Sequence, residues 1–171
     1  MYQDDELFAR GLEAIHGEGI VHRDLKPHNI LIAPGDRPVI ADFGVARSLA
    51  AARLTMTGHL VGTPAYMAPE QFEEEPTSFA VDLYALGAIL YELLTGHTPF
   101  PSKDTISTIR AIREDPAPPL PDELPAAMAD IVGRLLRKDP AERYAHASDL
   151  AADLEALTAR LEAERVPDVA D

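Results

Sequence analysis

The stretch VHRDLKPHNILIAPGDRPVIADFG, residues 21–44, decides the fold. Two short apolar runs, Asn29 to Ile32 and Pro38 to Ala41, flank the turn Ala33-Pro34-Gly35-Asp36 and read as the strands of a hairpin. One polar loop, His22 to Asn29, enters the hairpin, and another, Asp42 to Gly44, leaves it. The two loops therefore sit at the two ends of one hairpin. That arrangement brings Asp24, Asn29 and Asp42 close together, which is the geometry a metal–phosphate site needs.

Working outward, Asp5 to His16 carries apolar residues at Leu7, Phe8, Leu12 and Ile15, a helical period. Gly17 and Gly19 end that helix. Beyond the hairpin, Val45 to Tyr66 has no sustained period, and loops of this length are usually functional or mobile. Phe79 to Thr95 is apolar nearly all round, as a central helix would be, and Gly96 stops it. Asp104 to Glu114 reads as an amphipathic helix with Ile106, Ile109 and Ile112 on one side. Pro116 to Pro125 reads as a rigid internal connection. Leu124 to Lys138 and His146 to Glu164 read as two further helices, with Ser148 placed to cap the second. Residues 1–165 form one domain in this reading, and 166–171 a frayed tail.

The chain has 171 residues, a net charge of −14 and no cysteine. Its length suffices for one packed core. An acidic field disfavours non-specific binding to nucleic acid or anionic membranes, so no nucleic-acid partner is expected. Disulfides and thiolate metal sites are excluded. The most apolar run, Phe79 to Leu94, is short and carries Asp82 and Glu92, so no membrane segment is expected in this chain. A cytoplasmic location is compatible with all of this. Arginine outnumbers lysine, and alanine and proline are plentiful, a hint of a GC-rich bacterial genome.

Three motifs stand in a fixed order: HRDLKPHN at 22–29, DFG at 42–44 and APE at 68–70. With them the chain resembles the C-terminal lobe of a bacterial, Hanks-type serine/threonine protein kinase, from about Leu7 to about Leu157. The resemblance implies a mainly α fold (α+β family), a helical lobe with a small β-hairpin carrying the catalytic and DFG loops. It implies transfer of the ATP γ-phosphoryl group to Ser/Thr hydroxyls of a protein substrate, with ATP and Mg²⁺ as cofactors.

Residue by residue, the resemblance gives Asp24 the role of catalytic base and Lys26 that of neutralising the transferred group. Asn29 and Asp42 become the Mg²⁺ ligands. Thr63, in Gly62-Thr63-Pro64, bonds both Asp24 and Lys26, and with Lys26 it points to Ser/Thr substrates. Leu31 floors the adenine pocket, and reads equally as strand core. His22 packs against Phe43 in an internal spine, with Asp82 anchoring the backbone below it. The remaining histidines lack metal-ligand spacing and read as surface or loop residues. Arg23 marks a kinase switched by phosphorylation of its activation loop, with Thr55 and Thr57 as the candidate sites. Glu70 and Arg143 form a buried ion pair. His28 stands where many basophilic kinases carry Glu, which argues against recognition of substrate arginine.

No Gly-rich loop and no V-A-I-K-type lysine precede His22. The expectation is a lobe that works with a missing N-terminal kinase lobe or a complementing kinase chain, and that is a poor kinase or none alone. The alternative is a non-catalytic kinase-like binding or scaffold module.

Overall fold

The computed structural model describes residues 2–35, 37–42, 64–73 and 78–165. The lobe is mainly helical, with one two-stranded sheet among the described residues. Its helices are α1 (Tyr2–Gly17), α2 (Ala80–Thr95), α3 (Thr105–Glu114), α4 (Ala126–Leu135) and α5 (Ala147–Arg165). Strands β1 (Ile30–Ala33) and β2 (Arg37–Ile40) pair antiparallel, with Ile30 opposite Ile40 and Ala33 opposite Arg37. Each strand is displaced by one residue from the expected bounds, β1 toward the C-terminus and β2 toward the N-terminus. Gly35, at φ 82, supplies the left-handed turn between them.

Helix α2 is the axis of the lobe. Every residue from Val81 to Tyr91 is buried, because other elements pack around it and no face is left for solvent. Gly96 ends it in a left-handed conformation, donating its N–H to the Glu92 carbonyl at 2.7 Å. At Gly87 the α4 backbone comes so close that a methyl group there would lie 2.6 Å from Leu135 Cβ. Helix α1 packs against α5 and β2. Arg10 links Glu6 on its own helix to Glu155 on α5, and Ile40 of β2 sits against Gly11.

Asp104 caps α3, its carboxylate accepting from Ser107 N–H at 2.9 Å and Ser107 Oγ at 2.7 Å. Lys138 closes the other end of α3 by donating Nζ to the Ala111 and Ile112 carbonyls, while standing 4.0 Å over the Phe100 ring. Burial lowers the Lys138 amine to about 8. Ser148 lies inside the first turn of α5 rather than capping it, because the helix already begins at Ala147. Four 3-10 turns punctuate the described loops, at Pro27–Asn29, Pro64–Tyr66, Pro69–Phe72 and Pro140–Glu142, each opened by a proline whose fixed φ suits a first helical position.

Candidate active site

The loop before the hairpin is fixed from below by α2. Asp82 is fully buried, and its carboxylate accepts from the backbone N–H of His22 (Oδ2, 2.8 Å) and of Arg23 (Oδ1, 2.8 Å). A third donor reaches the same carboxylate: His16 Nε2, 2.9 Å from Asp82 Oδ2. The carboxylate is an acceptor, so the proton sits on His16 Nε2. His16 is therefore not a surface or loop residue. Its side chain is only 9% exposed, and its ring lies 4.5 Å from that of Phe79. The signal was present in the sequence, since Phe8, Leu12 and His16 fall at i, i+4 and i+8 on one buried stripe.

His22 is completely buried. Its Nδ1 accepts from the Asp24 N–H at 3.3 Å, which leaves Nε2–H to donate to the Ala41 carbonyl at 3.0 Å. The ring thus ties the loop before β1 to the segment after β2. Both of those segments hold strained backbone: Arg23 at φ 66 and Asp42 at φ 56 are left-handed without being glycine. Such conformations cost on the order of 1–3 kcal/mol and persist only where the surroundings impose them. The bonds to Asp82 and the His22 ring supply that imposition.

At the centre, Asp24 Oδ2 accepts from Lys26 Nζ at 3.0 Å and lies 3.3 Å from Asn29 Nδ2, which also donates to the Asp24 carbonyl at 2.8 Å. Asn29 is buried, while Lys26 and Asp24 are partly exposed. Asn29 and Asp42 flank the open end of the hairpin, where Ala41 N–H donates to the Asn29 carbonyl at 2.8 Å. Asn29 commits its amide N–H groups to Asp24, which leaves Oδ1 as its donor to a hard cation. An exposed Asp42 carboxylate and an amide oxygen fit Mg²⁺ carried in with substrate phosphates. Among the described residues no group of three or more His, Cys, Asp or Glu could hold a metal.

Leu31 is 57% exposed, so the strand-core reading of it fails. Ile32 and Val39 are exposed beside it on the hairpin. Glu70 and Arg143 meet in a two-point pair, Nη1 to Oε1 at 2.7 Å and Nη2 to Oε2 at 2.9 Å, with the arginine side chain wholly buried. Tyr66 Oη donates to Glu92 at 2.6 Å, and burial together with that bond pushes the phenol well above its usual range. A cleft of about 380 Å³ opens between Pro64–Ala65 and the α2–α3 connection. Phe43, Thr55, Thr57 and Thr63 lie outside the described residues.

The strained Asp42 and the Asp24–Lys26–Asn29 cluster occupy positions of the first two of the three ordered motifs, Glu70 lies in the third, and residues 6–153 match the protein kinase domain family. The chain belongs to the protein kinase family. A serine/threonine-protein kinase of Corynebacterium efficiens is 40% identical over 152 residues, covering 89% of this chain and 29% of the relative. PknL of Mycobacterium tuberculosis is 43% identical over 155 residues, covering 88% and 39%. PknA, from the same species, is 41% identical over 139 residues, covering 81% and 32%. These relatives are bacterial serine/threonine kinases, and the chain spans at most about two fifths of their length. Among the described residues no helix of this kinase-family lobe is long and apolar enough to cross a membrane.

Proposed function

We propose that this chain is the C-terminal catalytic lobe of a serine/threonine protein kinase, and that Asp24 is its base. The observation that carries the reading is the convergence of Lys26 Nζ and Asn29 Nδ2 on Asp24 Oδ2. Both hold the carboxylate in one orientation, ready to accept the proton of a substrate hydroxyl. Lys26 is near enough to turn its charge toward the transferred phosphoryl oxygens. Asn29 Oδ1 and the Asp42 carboxylate would hold Mg²⁺, which neutralises phosphate charge when ATP is bound. Leu31, exposed on β1, would meet the adenine ring. Thr63 would complete the bonds to Asp24 and Lys26, and Arg23, with its exposed side chain, would pair with phosphate on Thr55 or Thr57.

The cleft beside Pro64 and Ala65 is the place for the protein substrate's chain. The elements that cover ATP are not among these 171 residues, so a small lobe must come from elsewhere in the protein or from a complementing kinase chain. A cytoplasmic location, where ATP is supplied, goes with this reading. The exposed Leu31, Ile32 and Val39 favour one second reading, a non-catalytic module that binds a partner through the hairpin. Calorimetry of Mg²⁺–ATP binding separates the two, with Asp42→Ala as control. Micromolar binding lost in the variant supports the catalytic reading. Binding that survives Asp42→Ala removes Asp42 as a ligand; no binding by the chain alone means its residues wait for a small lobe, and no binding with a small lobe supplied favours the module.

A further inference from the structure

Arg23 is gripped from both sides. Its N–H is held by Asp82 Oδ1, and its carbonyl oxygen accepts from Gln71 Nε2 at 3.0 Å. Gln71 Oε1 in turn accepts from the Ala68 N–H at 2.8 Å. Both ends of the amide are committed. The flipped orientation would set N–H against N–H and oxygen against oxygen, so only one orientation satisfies both bonds. The residue before it, Glu70, is fastened to Arg143. The short Pro69–Phe72 turn is therefore bound to the lobe floor through one side chain and to the loop carrying Asp24 through the next.

We propose that Gln71 is a positioning residue: it couples the anchored 68–72 segment to the left-handed conformation of Arg23, and so fixes where Asp24 stands. Arg23 is the joint of that loop. A left-handed arginine relaxes readily to an ordinary conformation once a restraint is removed. Rotation at Arg23 swings Asp24, the next residue, away from Lys26 and Asn29. Displacement of the 68–72 segment would be felt at the site by this route. The inference rests on Asp24 being the base, although the placement of its loop can be tested without catalysis.

The test is amide hydrogen exchange, by NMR, on the 171-residue chain as wild type, Gln71→Ala and Gln71→Glu, at pH 7.5. In Gln71→Glu an ionised carboxylate can still accept from the Ala68 N–H but faces the Arg23 carbonyl with no donor.

Corrected for intrinsic rates, Arg23 N–H exchange should be about tenfold faster in Gln71→Ala, as loss of a bond to each side implies. In Gln71→Glu it should be at least as fast, since the shape is kept and only the donor to Arg23 is lost. The α2 amides of Leu86 and Leu90 should not change. Unaltered Arg23 exchange in either variant, or equal acceleration at Leu86 and Leu90, overturns the proposal. If Gln71→Ala does not fold, Gln71→Glu decides. Where the chain phosphorylates a protein substrate, Gln71→Ala should lower kcat about tenfold with the ATP KM unchanged, and a raised KM at constant kcat overturns the positioning role. A wild-type chain without transfer is the result expected of a lobe lacking its ATP-covering elements, and exchange alone then judges Gln71.

Discussion

Replacing Arg143 with alanine would open a hole at the best-connected point of the lobe. Its guanidinium donates to both Glu70 oxygens and to the carbonyls of Arg137, Ala80 and Lys138, at 2.7–3.0 Å. It also stands 4.9 Å from the centre of the Tyr84 ring. The Arg143 side chain is 0% exposed and that of Glu70 is 13% exposed, so water cannot take over these bonds. Removing one partner of such a pair strands the other charge and costs about 3–5 kcal/mol. For a chain of this size that corresponds to a loss of about 6–20 °C in Tm. Differential scanning calorimetry of Arg143→Ala measures it directly. The companion is a cycle with Glu70→Ala and the double variant, which isolates the pair from the three carbonyls. A Tm within about 2 °C of wild type, or a coupling below about 0.5 kcal/mol, would refute the reasoning.

Other consequences can be measured alongside. Gly87→Ala forces a methyl group into Leu135 and should cost about 1–3 kcal/mol, read as a lower denaturant midpoint at unchanged m. Tyr84→Phe should leave stability unchanged or raise it, because Tyr84 Oη is buried without a hydrogen-bond partner among the described residues; a clear loss in Tm would reveal one. Lys138, lowered to about 8 by burial, binds its proton less tightly folded than unfolded, so its contribution makes stability rise as pH climbs from about 8 toward 10. Lys138→Met should flatten that rise in urea titrations. Above pH 10 partly buried Tyr66 and buried Tyr84 and Tyr144, all raised mainly by desolvation, work the other way and stability should fall. His16→Leu should destabilise the lobe by taking one of three donors from the buried Asp82 carboxylate, and His16→Gln, which keeps a side-chain donor, should restore most of the loss in thermal melts.

Helices were legible wherever apolar residues recurred with the helical period or, as at 79–95, ran all round. The all-round apolarity of 79–95 announced α2, and the bounds of α1, α3 and α5 fall within a few residues of the sequence reading. Helix α4 is shorter than the expected 124–138, because Leu136 and Lys138 turn away to pack and to close α3. The site residues with motif context were easy to name, whereas their partners were not. His16 is separated from Asp82 by 66 positions, and Gln71 from Arg23 by 48, so no local pattern could pair them. Leu31 shows the opposite limit. A strand leucine reads as core from alternation, yet only the packing decides which hairpin face has a neighbour, and that face here has none among the described residues.

Helix α2 holds the loop that carries Asp24 through Asp82, accepts Arg143 at the Ala80 carbonyl and admits α4 at Gly87. Each of its positions therefore answers to a different neighbour, and no single replacement can suit one of them without disturbing the helix that serves the rest. In a saturation library selected for folding, 81–91 should be the least permissive window of the chain, while the 116–119 connection, which is mostly exposed, should accept nearly any polar residue. A map of accepted substitutions would draw the axis of the lobe without any coordinates.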